Sequence, residues 1–467
     1  VYYNADIINN TTADVVASTG IVAPDPQIRF NETRDTALIK DASQYNFSII
    51  RFTMDGPGLD LPLLIPTIKL GQSDPNLTTY GVGISYQQSW LTNTGTVDIA
   101  LTSDLAFVYY VPENKNPVVA PIPAPPITVQ DITSRYYYVS SYQSMVVMVN
   151  KAINEAYLDL YLKFVANWQP AWGAFPFTGY NTGAYSWYAV VNPPTLTFDP
   201  KSKLFSILAD SDGFGTGPLP GDILPNGPII PFTALGTSPS QSTAPTMRLF
   251  FNTNLNGLFA NFYTQYYNTS SIPGFPNPVP AGFSYEIIFY DQTYQNIIDY
   301  RQPPYSQPNT TPLVPIAEQK VFYNQTQDFG STGQLWSPIG SLVFCSALLP
   351  IKYENVGAPN VLGTGNLNGV DGTSQSAFQP IITDIAIDTS VGGSDAYRSF
   401  IYYAPQAEYR LSDFGRSHSD IRQIDIQVYW KNRLDNQLIP LTMYNLSSVS
   451  LKVMFRHKRV MPTKGSH

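Results

Sequence analysis

Residues 421–456 read Ile421-Arg-Gln-Ile-Asp-Ile-Gln-Val-Tyr-Trp-Lys-Asn-Arg-Leu-Asp-Asn-Gln-Leu-Ile-Pro-Leu-Thr-Met-Tyr-Asn-Leu-Ser-Ser-Val-Ser-Leu-Lys-Val-Met-Phe-Arg456. A β-branched and aromatic run, Ile421–Trp430, ends at a polar turn. A short Pro-Leu strand follows, and Val449–Arg456 closes the segment as a second long strand. Lys452-Val-Met-Phe-Arg-His-Lys-Arg459 alternates in part, so the terminal strand presents Lys452, Arg456 and Lys458 on one side.

The same grammar extends toward the N-terminus. Strands are expected at Tyr45–Met54, Leu61–Leu70, Tyr80–Trp90, Val97–Val111, Lys203–Ala209, Met247–Asn252, Ser284–Asp291, Ser341–Pro350, Ile381–Asp388 and Tyr397–Tyr403. Pro62 and Pro66 mark the second of these as an edge or bulged strand. One amphipathic helix is expected over 140–166, where Met145, Val146, Val149, Ile153, Ala156, Leu160 and Phe164 form an i, i+3/i+4 stripe. A short helix is expected near Leu255–Phe262. Pro117–Pro126 holds five prolines in ten residues and reads as an extended strap. Long Pro/Gly-rich loops occupy 210–246, 302–313 and 355–377. The fold class is therefore all-β, an antiparallel jelly-roll sandwich or sandwiches. The expected division is an extended arm at 1–40, a β-rich region at 41–209 carrying the helix, a Pro/Gly-rich insertion at 210–246, and a C-terminal β-sandwich region at 247–460.

Composition argues against small-molecule chemistry. The 467 residues include one cysteine, three histidines and 13% charged side chains, against 32 tyrosines, 25 phenylalanines and 40 prolines. Acid–base, nucleophilic and metal chemistry draw on His, Cys or converging carboxylates. Cys345 lies in the apolar run Leu342–Leu349 and reads as a buried, inert thiol. One Cys and scattered His cannot make a zinc site. Asp210-Ser-Asp-Gly213 lacks the spacing of a calcium loop. Gly213-Phe-Gly-Thr-Gly217 and Gly363-Thr-Gly365 lack the Lys-Ser/Thr of a phosphate loop. A Ser-His-Asp triad would need His418, His457 or His467, and His418 sits in the polar turn Arg416-Ser-His-Ser-Asp420 with no Gly-x-Ser-x-Gly elbow beside it. No cofactor and no metal are expected. No run approaches the roughly 18 apolar residues of a membrane helix, so no membrane span is expected. The opening Val1-Tyr2-Tyr3-Asn4 has no initiator Met and no signal-peptide pattern, which points to processing or to residues ahead of it.

Charge is distributed unevenly. The net charge is −8 overall, yet from Arg398 onward 11 Lys and Arg face 5 Asp and Glu, a net of +6. Lys452, Arg456, Lys458 and Arg459 form its densest part and are the candidate contacts to nucleic acid or to an acidic neighbouring subunit. Few phosphates would be met, so such binding is weak and salt-sensitive.

The strand ending in Tyr-Trp-Lys431, the Pro440-Leu441 strand and the closing Lys452-X-X-Phe-Arg456 strand resemble the ends of jelly-roll capsid proteins of icosahedral eukaryotic viruses, penton and minor capsid proteins among them. Phe400-Ile-Tyr-Tyr-Ala-Pro405 and Glu408-Tyr-Arg410 extend this resemblance, which covers roughly the last 120 residues. It implies a structural protein of the virion that self-assembles into an icosahedral shell as a homo-oligomer with other capsid subunits, with the vertex as one place for it. It carries over no catalytic residue. Two other readings stay open. One is a secreted or cell-surface β-sandwich that binds glycans, to which Asn-X-Ser/Thr triplets from Asn9 to Asn445 would suit. The other is a β-fold glycoside hydrolase, whose carboxylate pair need not be close in sequence.

Overall fold

Alternation within the strands predicts which side of each is buried, and the computed structural model shows how the buried sides meet. It describes residues 1–9, 27–55, 61–92, 95–115, 117, 120–172, 192–210, 213–214, 240–241, 246–267, 282–289, 297–299, 321–329, 336–351, 354–356, 377–386, 400–405, 410–414, 418–433, 436–443 and 446–458. The expected loops at 302–313 and most of those at 210–246 and 355–377 lie outside the described residues. The chain forms two units. The first comprises Val1–Pro66, Pro112–Ser141 and Gly333–His467, and the second Thr67–Val111 and Tyr142–Thr332. This division differs from the linear one expected, because the first unit gathers three separate stretches of chain.

The first unit is a jelly roll of eight main strands: β1 (Tyr2–Ile8), β2 (Arg29–Thr33), β3 (Tyr45–Asp55), β4 (Ile339–Cys345), β5 (Ile381–Ile385), β6 (Phe400–Tyr403), β7 (Gln423–Asn432) and β8 (Ser448–His457). One sheet has the order β1-β8-β3-β6, with the two-residue strand Ser412–Asp413 also on β3. The other has the order β5-β4-β7-β2, with Leu438–Pro440 also on β7. All these pairings are antiparallel. Except for the β4–β5 hairpin, successive strands change sheet, as jelly-roll connections require. The chain between β3 and β4 contains the whole second unit.

The core of this unit follows from strand phase. On β7, Ile424, Ile426, Val428 and Trp430 are buried; on β8, Val449, Leu451, Val453 and Phe455 are. They share one hydrophobic cluster with Phe47, Ile49, Phe52 and Met54 of β3 and Leu342 and Phe344 of β4. Phe52 and Phe344 meet edge to face across it, ring centroids 5.0 Å apart. Each such side chain stabilises the fold by about 1.5–3 kcal/mol through burial. The buried set on β3 changes phase between Ile49 and Phe52. A β-bulge resolves this: Val453 pairs with Ile49 and Lys452 with Arg51, leaving Ile50 as the extra residue.

Several expectations need correction. The 1–40 arm supplies two jelly-roll strands, β1 on β8 and β2 on β7. Backbone pairing to residues some 400 positions away, which local periodicity cannot register, holds them. Leu61–Leu70 is not a strand: only isolated bridges form, Leu64 with Val139 and Ile68 with Thr78. Pro62 and Pro66 lack the N–H that a ladder needs. Val97–Val111 splits into Gly95–Thr102 and Ala106–Tyr109, both paired with Leu77–Thr92.

In the second unit, Leu77–Thr92 is the hub of a seven-stranded sheet that includes Thr246–Phe251, Tyr285–Ile287 and Thr264–Tyr266. A four-stranded sheet contains Thr195–Asp199, Leu204–Asp210, Val321–Thr326 and Ile297–Asp299. The helix α1 (Tyr142–Trp172) is longer than expected. Its stripe from Met145 to Phe164 is buried, and Phe164 meets Tyr86 at 5.5 Å. Asn150 clamps the backbone of Leu196, accepting from its N at 2.7 Å and donating to its O at 2.8 Å.

Candidate assembly surface

Because the odd residues of β8 enter the core, the even ones leave the opposite face of the β1-β8-β3-β6 sheet. That face carries Ser448, Ser450, Lys452, the buried Met454 and Arg456, with Asp6 of β1 opposite Ser450 and Asp55 of β3 opposite Ser448. Lys452 stands between Asn4 on β1 and Arg51 on β3. Arg51 donates from Nη2 to Ser450 Oγ at 3.5 Å, and the Lys452 ammonium lies 5.2 Å from the centre of the Tyr2 ring. Arg456, opposite Asn46, is exposed. Among the described residues none of these three cations forms an ion pair. Like charges facing each other across a ladder cost stability.

The sequence placed four cations here, and the structure separates them. Lys452 and Arg456 share the sheet face, four residues and about 13 Å apart. Lys458 lies past the end of β8; its ammonium donates to Asp413 Oδ1 at 2.6 Å and its backbone N to Gln44 O at 2.8 Å. Arg459 lies outside the described residues. Arg51 was missed. Its signal was a lone cation inside the apolar run Ile49-Ile-Arg-Phe52, legible only once the partner strand is known.

The groups singled out for chemistry are occupied structurally. His418 does meet a serine and an aspartate, with Nδ1 3.2 Å from Ser43 Oγ and 3.3 Å from Asp41 Oδ1. Both partners lie on the same ring nitrogen, whereas a triad needs them on opposite ones. Asp41 caps the 3-10 turn Ala42–Gln44, accepting from Ser43 N at 3.0 Å and Ser43 Oγ at 2.6 Å; this hydrogen bonding holds its carboxyl below the usual range. Burial pushes the Cys345 thiol up to about 12, which leaves it protonated. The three buried carboxylates among the described residues each have a donor. Asp210 Oδ2 accepts from Asn192 N at 2.8 Å, Asp425 Oδ1 meets Arg29 Nε at 3.0 Å, and Glu286 Oε2 accepts from Tyr267 Oη at 2.6 Å. Burial also raises the Glu286 pKa, with Arg248 Nη1 at 3.5 Å opposing it. Among the described residues no cluster of His, Cys, Asp or Glu could hold a metal ion, and no helix is long and apolar enough to cross a membrane.

Comparison with known proteins bears on the same question. The family model of the Sputnik minor capsid protein V18/19 matches residues 1–457. No curated protein matches the chain. Among solved structures, the 3.5 Å cryo-EM structure of the Sputnik virophage contains a similar chain, with 17% identity, a TM-score of 0.60, and 98% of each chain covered. The crystal structure of the selenomethionine-labelled mavirus penton protein aligns at 13% identity and a TM-score of 0.49, over 98% of this chain and 99% of that one. At such identity the Sputnik likeness speaks to the fold, and the full-length family match to the kind of protein.

Proposed function

The chain belongs to the Sputnik minor capsid protein V18/19 family, and from that premise we propose that this structural component of a virophage capsid sits at the shell vertex, in contact with copies of itself and with other capsid subunits. The family is non-enzymatic, so the glycoside hydrolase reading falls, and a virion component is not the secreted glycan binder. The vertex position rests on the resemblance of the C-terminal strands to penton proteins. Surfaces poor in charge and rich in aromatic residues suit contacts with sister subunits. Electron microscopy of purified particles with a bound antibody fragment tests the position. Label confined to the vertices supports it, and label spread over the facets refutes it.

In this reading Lys452 and Arg456 form the contact to packaged nucleic acid, with Lys458 held by Asp413 instead. The observation that carries it is the Lys452–Arg51 juxtaposition, two cations across a ladder with no ion pair to either among the described residues. The purified protein should bind DNA with a salt slope of only a few ion equivalents. Lys452→Glu combined with Arg456→Glu should reduce that slope by about two. An unchanged slope would assign the face to an acidic neighbouring subunit.

A further inference from the structure

Pro117–Gln130 carries no charged residue, and within it covalent structure alone fixes the backbone. Every residue from Ala120 to Pro126 is a proline or stands before one, in the order Ala-Pro-Ile-Pro-Ala-Pro-Pro. Proline holds φ at about −65° and drives the residue ahead of it out of the helical region, so the stretch is confined to polyproline II. That helix turns once in three residues, and burial follows the same period. Ala120 and Pro126 are buried, Pro123 and Pro125 are half-buried, and Pro121, Ile122, Ala124, Ile127 and Thr128 are exposed. One edge thus faces the protein, and the outward pairs Pro121-Ile122, Ala124-Pro125 and Ile127-Thr128 recur once per turn.

The strap is held at its end and bare along its length. Gln130 donates from Nε2 to Pro66 O at 2.8 Å. Among the described residues Ala120–Val129 makes no hydrogen bond, and Ile122 and Ile127 are the most exposed large apolar side chains, at 71% and 80%. These features limit what can cover it. Most of Pro121–Pro126 lacks an N–H, and a threefold backbone does not match a pleated strand, so β-pairing is a poor fit. No cation is present to draw phosphate. Bare carbonyls would go unsatisfied in hydrocarbon, which argues against a lipid surface. A protein groove fits, with aromatic rings against the prolines and side-chain donors on the carbonyls, as polyproline segments are commonly read.

We infer that the strap Ala120–Thr128 docks in an aromatic-lined groove on a different protein of the shell. The outward pairs recur about every 9 Å along the polyproline axis, which sets the spacing of the rings that receive them. Among the described residues the exposed rings of this chain are scattered. Tyr2 and Tyr402 lie on the two edge strands of one sheet, Tyr109 faces the Lys151 ammonium at 5.5 Å, and Tyr266 packs on Tyr285. The groove is therefore assigned to a neighbour of another kind. Docking costs little order, because the prolines have already removed the freedom that binding would take. The inference rests on membership of the capsid family and holds wherever in the shell the chain stands.

Site-directed cross-linking in particles tests it. Cys345 is the chain's one cysteine and is buried, so Ile122→Cys gives the full chain a single reactive thiol. Benzophenone maleimide on that thiol is the probe. It should attach readily to the free protein and about tenfold more slowly in intact particles. Irradiated particles built with labelled protein should yield one cross-linked segment, from a different shell protein and rich in Tyr or Trp. Ile122→Asp with Ile127→Asp should leave the melting curve in place, since both side chains are exposed, and cut incorporation into particles about tenfold. Equal labelling in particles and free protein, or cross-links only to copies of this chain, to lipid or to nucleic acid, overturns the inference. Incorporation of the double variant at the wild-type level overturns it too. Antibody label on the facets together with a protected strap removes the vertex reading and keeps this one.

Discussion

Lys452 on β8 lies directly opposite Arg51 on β3, two cations paired across a ladder with no carboxylate bonded to either among the described residues. A protein shaped only for its own stability would place an acid at one of these positions. Lys452→Glu should therefore stabilise the isolated protein by roughly 0.5 kcal/mol through a new pair with Arg51. The same change should weaken DNA binding. Thermal unfolding and a filter-binding titration on one preparation check both signs, and a loss of stability would show that Lys452 is already compensated.

The bulge on β3 makes a second expectation. Removing Ile50 leaves Phe47, Ile49, Phe52 and Met54 in one unbroken alternation, with the β8 pairs retained. Deletion of Ile50 should fold, at a cost of about 1–2 kcal/mol. Deletion of Thr53 turns Met54 and the residue after it to the wrong face and should prevent cooperative folding. Circular dichroism melts of the two deletions separate the cases.

Acid should loosen the turn that Asp41 caps. Its carboxyl titrates below its ordinary value of 3.8, chiefly because Ser43 donates to it, with His418 and Gln44 adding to the effect. For a depressed acid the contribution is complete above the ordinary value and is lost as pH falls through the folded one. Melting temperature should thus drop below about pH 4. Asp41→Ala should remove this part of the drop and leave the curve near neutrality parallel to wild type.

Cys345 offers a probe of unfolding. With its pKa pushed up to about 12 by burial, the thiol should resist an aromatic disulfide reagent near pH 8 in the native protein. Reaction should appear at the denaturant concentration where β-structure is lost. Rapid labelling under native conditions would mean that the β4 region opens on its own.

The strands of the last third were legible because their signal is local. Ile424, Ile426, Val428 and Trp430 alternate with polar residues, and so do Val449, Leu451 and Val453 before Met454 and Phe455 break the pattern, which suffices to predict two half-buried strands. The helix stripe from Met145 to Phe164 was legible for the same reason. The candidate surface was partly legible: Lys452 and Arg456 share a face as alternation implies, whereas Lys458 is diverted to Asp413 by the end of the strand.

By itself the sequence determined the β class, the helix, and the poverty of catalytic side chains, all properties of neighbours along the chain. Only the tertiary structure decided the strand order, the capture of Tyr2–Ile8 and Arg29–Thr33 by β8 and β7, and the meeting of Arg51 with Lys452. Those partners stand some 400 residues apart in the sequence. A strand records in its own residues which side will be buried, but its neighbour is chosen by backbone groups that every residue carries alike.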